Sequence, residues 1–187
     1  IPIDPFDYSR RKTQPAGPVG GENSPVVLSH GNHSPDLKPD LIFTTDPHSH
    51  QISKDTSVVI PYTEWKNNHQ TAGCYPLFES ISHYCQVRTH PRRCSFIQTS
   101  INEMEQVGLL RGSKNLVLLL QAKSENPPSE LRRFIFNLMN KGMDIPVIAH
   151  LQCQTDHFEH LLIRAASDVG LLCIDGLIDG LFIENQG

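Results

Sequence analysis

Short apolar runs that do not alternate with polar residues recur along most of this 187-residue chain. They are rich in β-branched side chains, and an unbroken apolar run of this kind indicates a strand that is covered on both faces. The strands of parallel sheets are covered in this way, and the runs therefore favour a parallel α/β fold. The predicted strands are 26–28, 41–43, 58–60, 94–97, 116–120, 145–149 and 181–183.

Helical patterns lie between the later runs. The clearest covers Ser129 to Lys141, where five large apolar side chains fall on one stripe. Asn126 and the two prolines after it suit the first turn of this helix, and Gly142 suits a left-handed stop. A second helix is predicted from about Pro76 to Gln86, and a third begins near Asp156. The third is expected to turn these side chains inward: Phe158, Leu161, Leu162, Ala165, Val169 and Leu172.

The alternation of strands and helices in the second half predicts βαβ units with right-handed crossovers. The predicted strands fit either a doubly wound sheet or a (β/α) barrel. The connections among the first three predicted strands are too short for full crossover helices, so we expect the first half of the chain to be irregular. The fold class is therefore α/β: a parallel sheet of βα units that forms a degenerate or partial TIM-barrel-like domain.

Residues 1–22 differ from the rest of the chain. They contain four prolines and three glycines but no periodic apolar pattern. This composition predicts an extended arm or linker, with the basic cluster Arg10–Arg11–Lys12 in solvent. We expect residues 23–187 to form a single barrel-like domain.

Charge and cysteine content narrow the function classes. The net charge of −4 argues against a nucleic-acid partner, which requires a basic face, and against an anionic membrane surface. The five cysteines form no C-x-x-C pair, and an odd number without a framework indicates a reducing compartment. No apolar run is long enough to span a bilayer. We therefore expect a soluble, cytoplasmic domain.

Three pairs of histidines have the close spacing found at zinc and iron sites. The pairs are His30 and His33, His48 and His50, and His157 and His160. No third ligand converges on any pair in the sequence, so we predict no metal site. The sequence also lacks a P-loop, a G-x-G-x-x-G and a G-x-S-x-G. The segment from Gly176 to Gly180 is predicted to be a helix cap followed by a turn.

His150 has a stronger positional argument. It ends the predicted strand 145–150, and α/β folds place ligand sites at strand ends. No second acid or base is identifiable beside it, so we favour a histidine satisfied by a backbone partner. The alternative is a free-standing small α/β barrel enzyme or binding protein that uses His150. Asp179 precedes the last strand and has no such argument. No catalytic, cofactor-binding or metal-binding residue is predicted.

The C-terminal sequence carries a family resemblance. The residues concerned are Ile145–His150, Leu161–Leu172, Asp175–Gly180 and Leu181–Glu184. They resemble the central insert domain of the long (plant-like and bacterial) form of 4-hydroxy-3-methylbut-2-enyl diphosphate synthase, the GcpE/IspG family. The segment Ile3–Thr13 is similar to the start of that insert. The C-terminal run is also similar to the closing helix–strand unit of the family's catalytic barrel, which implies that the insert is a degenerate copy of that barrel.

The resemblance implies a catalytic function for the complete synthase, which we call the parent. For this segment of it, the resemblance implies only a structural function. The parent is an oxidoreductase of the MEP pathway of isoprenoid biosynthesis, which reductively opens 2-C-methyl-D-erythritol 2,4-cyclodiphosphate. It uses a 4Fe–4S cluster fed by ferredoxin or flavodoxin, and the insert is flanked by a catalytic barrel and an iron–sulfur domain. The family's cluster cysteines lie in a Cys-Pro-x-Cys-Gly context that none of the cysteines here shares. The resemblance therefore implies an inactive, cofactor-free structural spacer.

Overall fold

The computed structural model describes residues 11–30, 38–45, 57–68, 73–87 and 93–186. Its strands are β1 (Val26–His30), β2 (Leu41–Phe43), β3 (Ser57–Pro61), β4 (Cys74–Phe78), β5 (Ser95–Ser100), β6 (Leu116–Gln121), β7 (Val147–Cys153) and β8 (Gly180–Asn185). Its helices are α1 (Tyr62–Asn68), α2 (Ile81–Gln86), α3 (Pro127–Asn140) and α4 (Phe158–Ile174), with short 3₁₀ turns at Ile101–Glu103 and Gln106–Leu110.

The strands form a closed, all-parallel barrel in chain order. Each strand pairs with the next, and β8 returns to pair with β1. The predicted parallel α/β fold is confirmed, and the barrel is the correct one of the two predicted topologies. Gly180 lies at the point of closure, where an added Cβ would stand 2.7 Å from the Val26 carbonyl oxygen. Glycine therefore lets β8 approach β1 closely.

Strand β4 occupies the start of the predicted second helix. Pro76 lies in β4 opposite Ile60 of β3, and helix α2 begins only at Ile81. Ser80 caps α2, because its hydroxyl accepts a hydrogen bond from the His83 amide at 3.0 Å. The prediction of helix over 76–80 is wrong. Pairing with β3 outweighs the weak local propensity of a segment that has no β-branched residue.

Helix α3 matches its prediction closely. Asn126 caps it by accepting a hydrogen bond from the Ser129 amide at 3.3 Å, and prolines occupy its first turn. Gly142 follows the helix with φ +64°, the left-handed conformation expected of a helix stop. The inward stripe is buried: Leu131, Phe134, Ile135 and Leu138. This stripe packs on the outside of the barrel.

Helix α4 begins close to the predicted position, but the side of the helix that faces the barrel differs from the prediction. Phe158 is 71% exposed and Leu162 is 53% exposed, whereas Val169 and Leu172 are buried. The prediction that Phe158 and Leu162 turn inward is wrong. The helix carries apolar residues around most of its circumference, and only a narrow stripe of it meets the barrel. No helix in the described part of the chain is both long and apolar enough to cross a membrane.

Residues 11–22 lie across the amino-terminal end of the barrel. Ala16 and Val19 pair with each other and are fully buried with the barrel interior. The Arg11 side chain is only 2% exposed and donates hydrogen bonds to the carbonyls of Leu177 and Ile145. The prediction that Arg11 is solvated is wrong, because loops that precede β7 and β8 supply its acceptors. Residues 1–10 lie outside the described residues, so the division of the chain at residue 22 stays a prediction.

Asp179 holds this closed end together. Its carboxylate lies 3.5 Å from the Arg11 guanidinium and accepts the Thr13 hydroxyl hydrogen bond at 2.6 Å. It also accepts a hydrogen bond from the Val147 amide at 2.9 Å. Asp179 thus joins the first described segment to β7 and β8.

Candidate functional site

Strands β1, β7 and β8 bring three ionisable side chains together on the carboxyl-terminal side of the barrel. Glu184 of β8 lies between His30 of β1 and His150 of β7, and each histidine Nε2 forms a hydrogen bond with one carboxylate oxygen. Gln152 also donates to Glu184, at 3.2 Å. We call His30, His150 and Glu184 the mouth cluster. The carboxyl-terminal end is where barrels of this type place their active sites.

The two-residue period of the strands explains why these side chains meet. Each lies two residues after an apolar residue that fills the barrel interior, so each points to the same side of its strand. Those interior residues are Leu28, Ile148 and Phe182. The strand register places Gln152 opposite Glu184 and His150 opposite Phe182. The mouth cluster is therefore the polar layer above an apolar interior.

Aromatic rings surround the mouth cluster. The His150 ring stacks on Phe182 with centroids 4.6 Å apart and an interplanar angle of 26°. The His30 ring lies 5.2 Å from Phe182 and 5.4 Å from Phe43. The His150 side chain is 5% exposed, that of Glu184 18% and that of His30 52%. The cluster thus grades from a buried imidazole to one that meets solvent.

The surroundings set the protonation states. Burial by itself would raise the pKa of Glu184, but hydrogen bonds with His30, His150 and Gln152 outweigh it and lower that pKa. Burial lowers the pKa of His150 in spite of its carboxylate partner. At neutral pH, the cluster therefore holds an ionised Glu184 and a neutral His150 that donates its Nε2 proton. The remaining nitrogen, Nδ1, is then an acceptor, and it is buried without a hydrogen-bond partner among the described residues.

This geometry supports hydrogen-bonding or acid–base chemistry. A neutral imidazole oriented by a carboxylate can accept a proton or a hydrogen bond from a ligand. In the ranges that the structure describes, no group of three or more His, Cys, Asp or Glu side chains is placed to hold a metal ion.

The structure corrects the prediction for His150. The residue lies within β7, not at its end, and its side-chain partner is the Glu184 carboxylate, not a backbone group. Sequence reasoning missed both Glu184 and the role of His30. The signal that could have found them is their shared spacing, two residues beyond an interior apolar residue on neighbouring strands.

Of the three histidine pairs considered in the sequence, one lies wholly within the described residues. His157 and His160 are both exposed at the start of α4, with ring centroids 5.1 Å apart. His33, His48 and His50 lie outside the described residues. His30, from the first pair, belongs to the mouth cluster.

The five cysteines do not fit an iron–sulfur cluster. Cys74 is buried in β4, Cys153 in β7 and Cys94 directly before β5. Cys85 is exposed on α2, and Cys173 lies on α4. Burial raises the pKa of Cys94 to about 12, whereas cluster ligation requires thiolates. The described cysteines therefore provide no site for the group that the family resemblance implies for the parent.

Comparison with known proteins shows what this barrel is similar to. The chain is 28% identical, over 194 residues, to 4-hydroxy-3-methylbut-2-en-1-yl diphosphate synthase (flavodoxin) of Phocaeicola vulgatus. The match covers 97% of this chain. The chain is homologous to a segment of the hydroxymethylbutenyl diphosphate synthases. The corresponding protein of Bacteroides thetaiotaomicron is also 28% identical over 97% of the chain. The chloroplastic, ferredoxin-type synthase of Oryza sativa is 31% identical over 43% of it.

The matches cover a much larger share of this chain than of the relatives. The chain spans about a third of the length of the relatives it matches, 31% for the Phocaeicola synthase. No family model and no solved structure matches the chain. The family resemblance drawn from the C-terminal residues is confirmed, and it extends over nearly the whole chain.

Proposed function

We propose that this chain is the central insert domain of a long-form hydroxymethylbutenyl diphosphate synthase and acts there as a non-catalytic structural spacer. The observation that carries the proposal is the unequal coverage: 97% of the chain aligns, yet the alignment takes up only 31% of the relative. A segment that aligns end to end inside a protein three times as long has the dimensions of one domain of that protein.

The parent would perform the chemistry with its other domains. It would reductively convert 2-C-methyl-D-erythritol 2,4-cyclodiphosphate in isoprenoid biosynthesis, in the cytoplasm, with a 4Fe–4S cluster in a flanking iron–sulfur domain. The names of the relatives specify flavodoxin or ferredoxin, which supports such a protein as the electron donor of the parent. The scattered thiols of this chain support a location of the cluster elsewhere in the parent.

The physical basis of a spacer role is rigidity. A closed barrel, with residues 11–22 packed across one end, is a body of fixed shape. Such a body can hold two flanking domains at a defined separation and orientation, whereas a flexible linker only raises their effective concentration.

The mouth cluster favours a second candidate, a small α/β barrel enzyme or binding protein that uses His150. The specific observation is the buried Nδ1 of His150, which has no hydrogen-bond partner among the described residues. In this role His150 would accept a proton or hydrogen bond from a ligand, and Glu184 would hold the imidazole in the required tautomer.

Steady-state turnover of the complete parent enzyme, measured at matched iron content, separates the two candidates. If the domain is a spacer, His150→Ala leaves turnover within a few-fold of wild type. Leu138→Asp disrupts the buried face of α3 and lowers turnover by disturbing domain placement. Leu109→Asp, at a side chain that is 65% exposed, is the matched control and leaves turnover unchanged. A loss of about a hundredfold or more for His150→Ala, the scale of a lost general acid or base, contradicts the spacer proposal.

A further inference from the structure

The polar layer that holds the mouth cluster continues around half of the barrel interior. Five successive strands, β5, β6, β7, β8 and β1, each place one polar side chain there, two residues after a buried apolar residue of the interior. We call these five side chains the polar arc: Gln98, Gln121, His150, Glu184 and His30. The two glutamines are the members that neither candidate function uses.

Neighbouring members of the polar arc lie side by side. Gln98 Nε2 donates to Gln121 Oε1 at 3.5 Å, and Gln121 pairs in register with His150. Glu184 forms hydrogen bonds with both histidines of the arc and with Gln152, which lies two residues beyond His150 on β7. One half of the barrel mouth therefore presents hydrogen-bonding groups on five adjoining strands.

The other half of the mouth is apolar. Phe43 of β2, Val59 of β3 and Leu77 of β4 belong to the apolar interior. Phe43 is half-buried, and its ring centroid lies 5.4 Å from that of His30 and 6.1 Å from that of Phe182. An aromatic surface thus adjoins the polar arc, and a molecule in the mouth would meet polar groups on one side and apolar groups on the other.

Stability of the barrel does not account for the glutamines. Gln121 is 6% exposed, yet its amide nitrogen has no hydrogen-bond partner among the described residues. The bond that it receives from Gln98 is at the long limit for a hydrogen bond. Buried polar groups that lack good partners cost free energy, and apolar side chains of similar size would fill the same layer without that cost. Such exceptions to a well-satisfied interior are typical of functional sites.

The charges at this end of the barrel disfavour an ionic ligand. None of the eight strands contains an arginine or a lysine, the residues that recognise phosphate and carboxylate groups. Glu79 follows β4 directly, whereas Lys123 lies two residues after β6 and is exposed. Both oxygens of Glu184 are already hydrogen-bonded, so this carboxylate is not free for a cation. An uncharged ligand fits these surroundings best.

Hydroxyl groups match the polar arc. A hydroxyl both donates and accepts hydrogen bonds, whereas an amide nitrogen only donates and a carbonyl oxygen only accepts. One ligand hydroxyl can accept from Gln121 Nε2 and donate to Gln98 Oε1, and neighbouring hydroxyls can bond to other members of the arc. The C–H groups of the same molecule can pack on the ring of Phe43.

We propose that the barrel mouth binds a small, uncharged polyhydroxy compound, a polyol or a sugar, through hydroxyl hydrogen bonds to the polar arc. The inference goes beyond the proposed function, because a spacer requires no ligand. It assigns binding and not catalysis, so it is compatible with either candidate function.

Nuclear magnetic resonance of the isotope-labelled 187-residue chain detects such binding at the side chains concerned. The probes are erythritol, which is an uncharged tetrol, n-butanol, which has the same carbon chain with a single hydroxyl, and inorganic phosphate. We expect erythritol to shift the side-chain amide signals of Gln98 and Gln121 saturably, in the millimolar range. Butanol and phosphate should leave these signals unchanged. Gln86, exposed at the end of α2, is the internal control.

A pair of methionine variants tests the role of Gln121. Gln121→Met keeps the length of the side chain and removes its amide, so the Kd for erythritol should rise by about tenfold, the equivalent of one hydrogen bond. The urea midpoint should stay at or above that of wild type, because no buried amide is left without a partner. Gln86→Met, the matched control, should change neither the Kd nor the midpoint. Gln98→Met takes the place of Gln121→Met if that variant does not fold.

Several results would overturn the inference. One is the absence of a saturable erythritol shift, or a linear shift that affects Gln86 equally, because a linear shift is a bulk solvent effect. Saturable binding of phosphate would make the mouth an anion site, and equal binding of butanol would make it an apolar pocket. Unchanged affinity in Gln121→Met would also contradict the inference. The spacer proposal is judged separately, by turnover of the parent, so either proposal can fail alone.

Discussion

The buried ion pair at the closed end of the barrel permits a quantitative test. Arg11 is 2% exposed and Asp179 is 15% exposed, with 3.5 Å between guanidinium nitrogen and carboxylate oxygen. Asp179→Asn keeps the shape of the side chain and removes its charge. Arginine does not lose its proton in proteins, so the Arg11 cation then stays buried with no ion-pair partner and with only the longer-range charge of Asp144 opposing it.

Breaking a buried ion pair by removing one partner costs about 3–5 kcal/mol. We expect the lower end, about 3 kcal/mol, because Arg11 keeps the carbonyls of Leu177 and Ile145 as acceptors. A loss of that size multiplies the unfolding equilibrium constant by about a hundred. The double variant Arg11→Met with Asp179→Asn should recover a large part of the loss, because it removes the unpaired cation and leaves an apolar side chain in its place.

The measurement is urea unfolding followed by far-ultraviolet circular dichroism, with midpoint and slope fitted for each variant. Arg164→Gln provides the control, since Arg164 is 48% exposed and its pair with Asp168 should contribute less than about 1 kcal/mol. If Asp179→Asn costs no more than Arg164→Gln, the argument that Asp179 compensates a buried charge is wrong. Failure of Arg11→Met to restore stability would refute it independently.

Three further predictions follow from burial and charge. Leu138→Ala should cost about 2–5 kcal/mol, because Leu138 is 1% exposed, and Leu109→Ala should cost far less; urea midpoints decide between them. Folding lowers the pKa of Glu184, so its stabilising contribution is present near neutral pH and is lost as the pH falls through the lowered value. The difference in unfolding free energy between wild type and Glu184→Gln should therefore shrink on acidification, and a constant difference would contradict this. Iodoacetamide at mildly alkaline pH should modify the exposed Cys85 quickly and leave Cys94 intact until the barrel unfolds, because burial raises the pKa of Cys94 to about 12; peptide mass mapping reports both.

The fold class could be predicted because burial on both faces leaves a local mark in the sequence. Runs such as Leu116–Leu120 are apolar without alternation, which is typical of a parallel strand covered on both faces. Strand β4 left no such mark, since Cys74, Tyr75 and Pro76 owe their conformation to pairing with β3. Helix α4 was located but not oriented, because a helix that is apolar on most sides does not reveal which side the barrel covers.

The candidate site could be predicted only in part. That His150 belongs to a strand was readable from the sequence, although it lies within β7 and not at the predicted strand end. Its partner was not, because Glu184 is 34 residues away and the contact depends on the register of β7 with β8. Arg11 was misjudged for the same reason: its acceptors lie more than 130 residues further along the chain.

The mouth cluster has a structural explanation that agrees with the proposed spacer. Backbone pairing between β1 and β8 runs only from Val26 to Leu28, which makes this seam one of the shorter ones in the barrel. The hydrogen bond between His30 and Glu184 continues the seam beyond that point, and the bond to His150 ties β8 to β7 on its other side. Glu184 therefore links the last strand to both neighbours where the barrel closes.

If that is its role, Glu184→Gln in the complete parent should lower the thermal midpoint of this domain. Turnover at matched iron content, measured well below that midpoint, should change by no more than a few-fold. A loss of turnover with an unchanged midpoint would instead make the mouth cluster part of the chemistry.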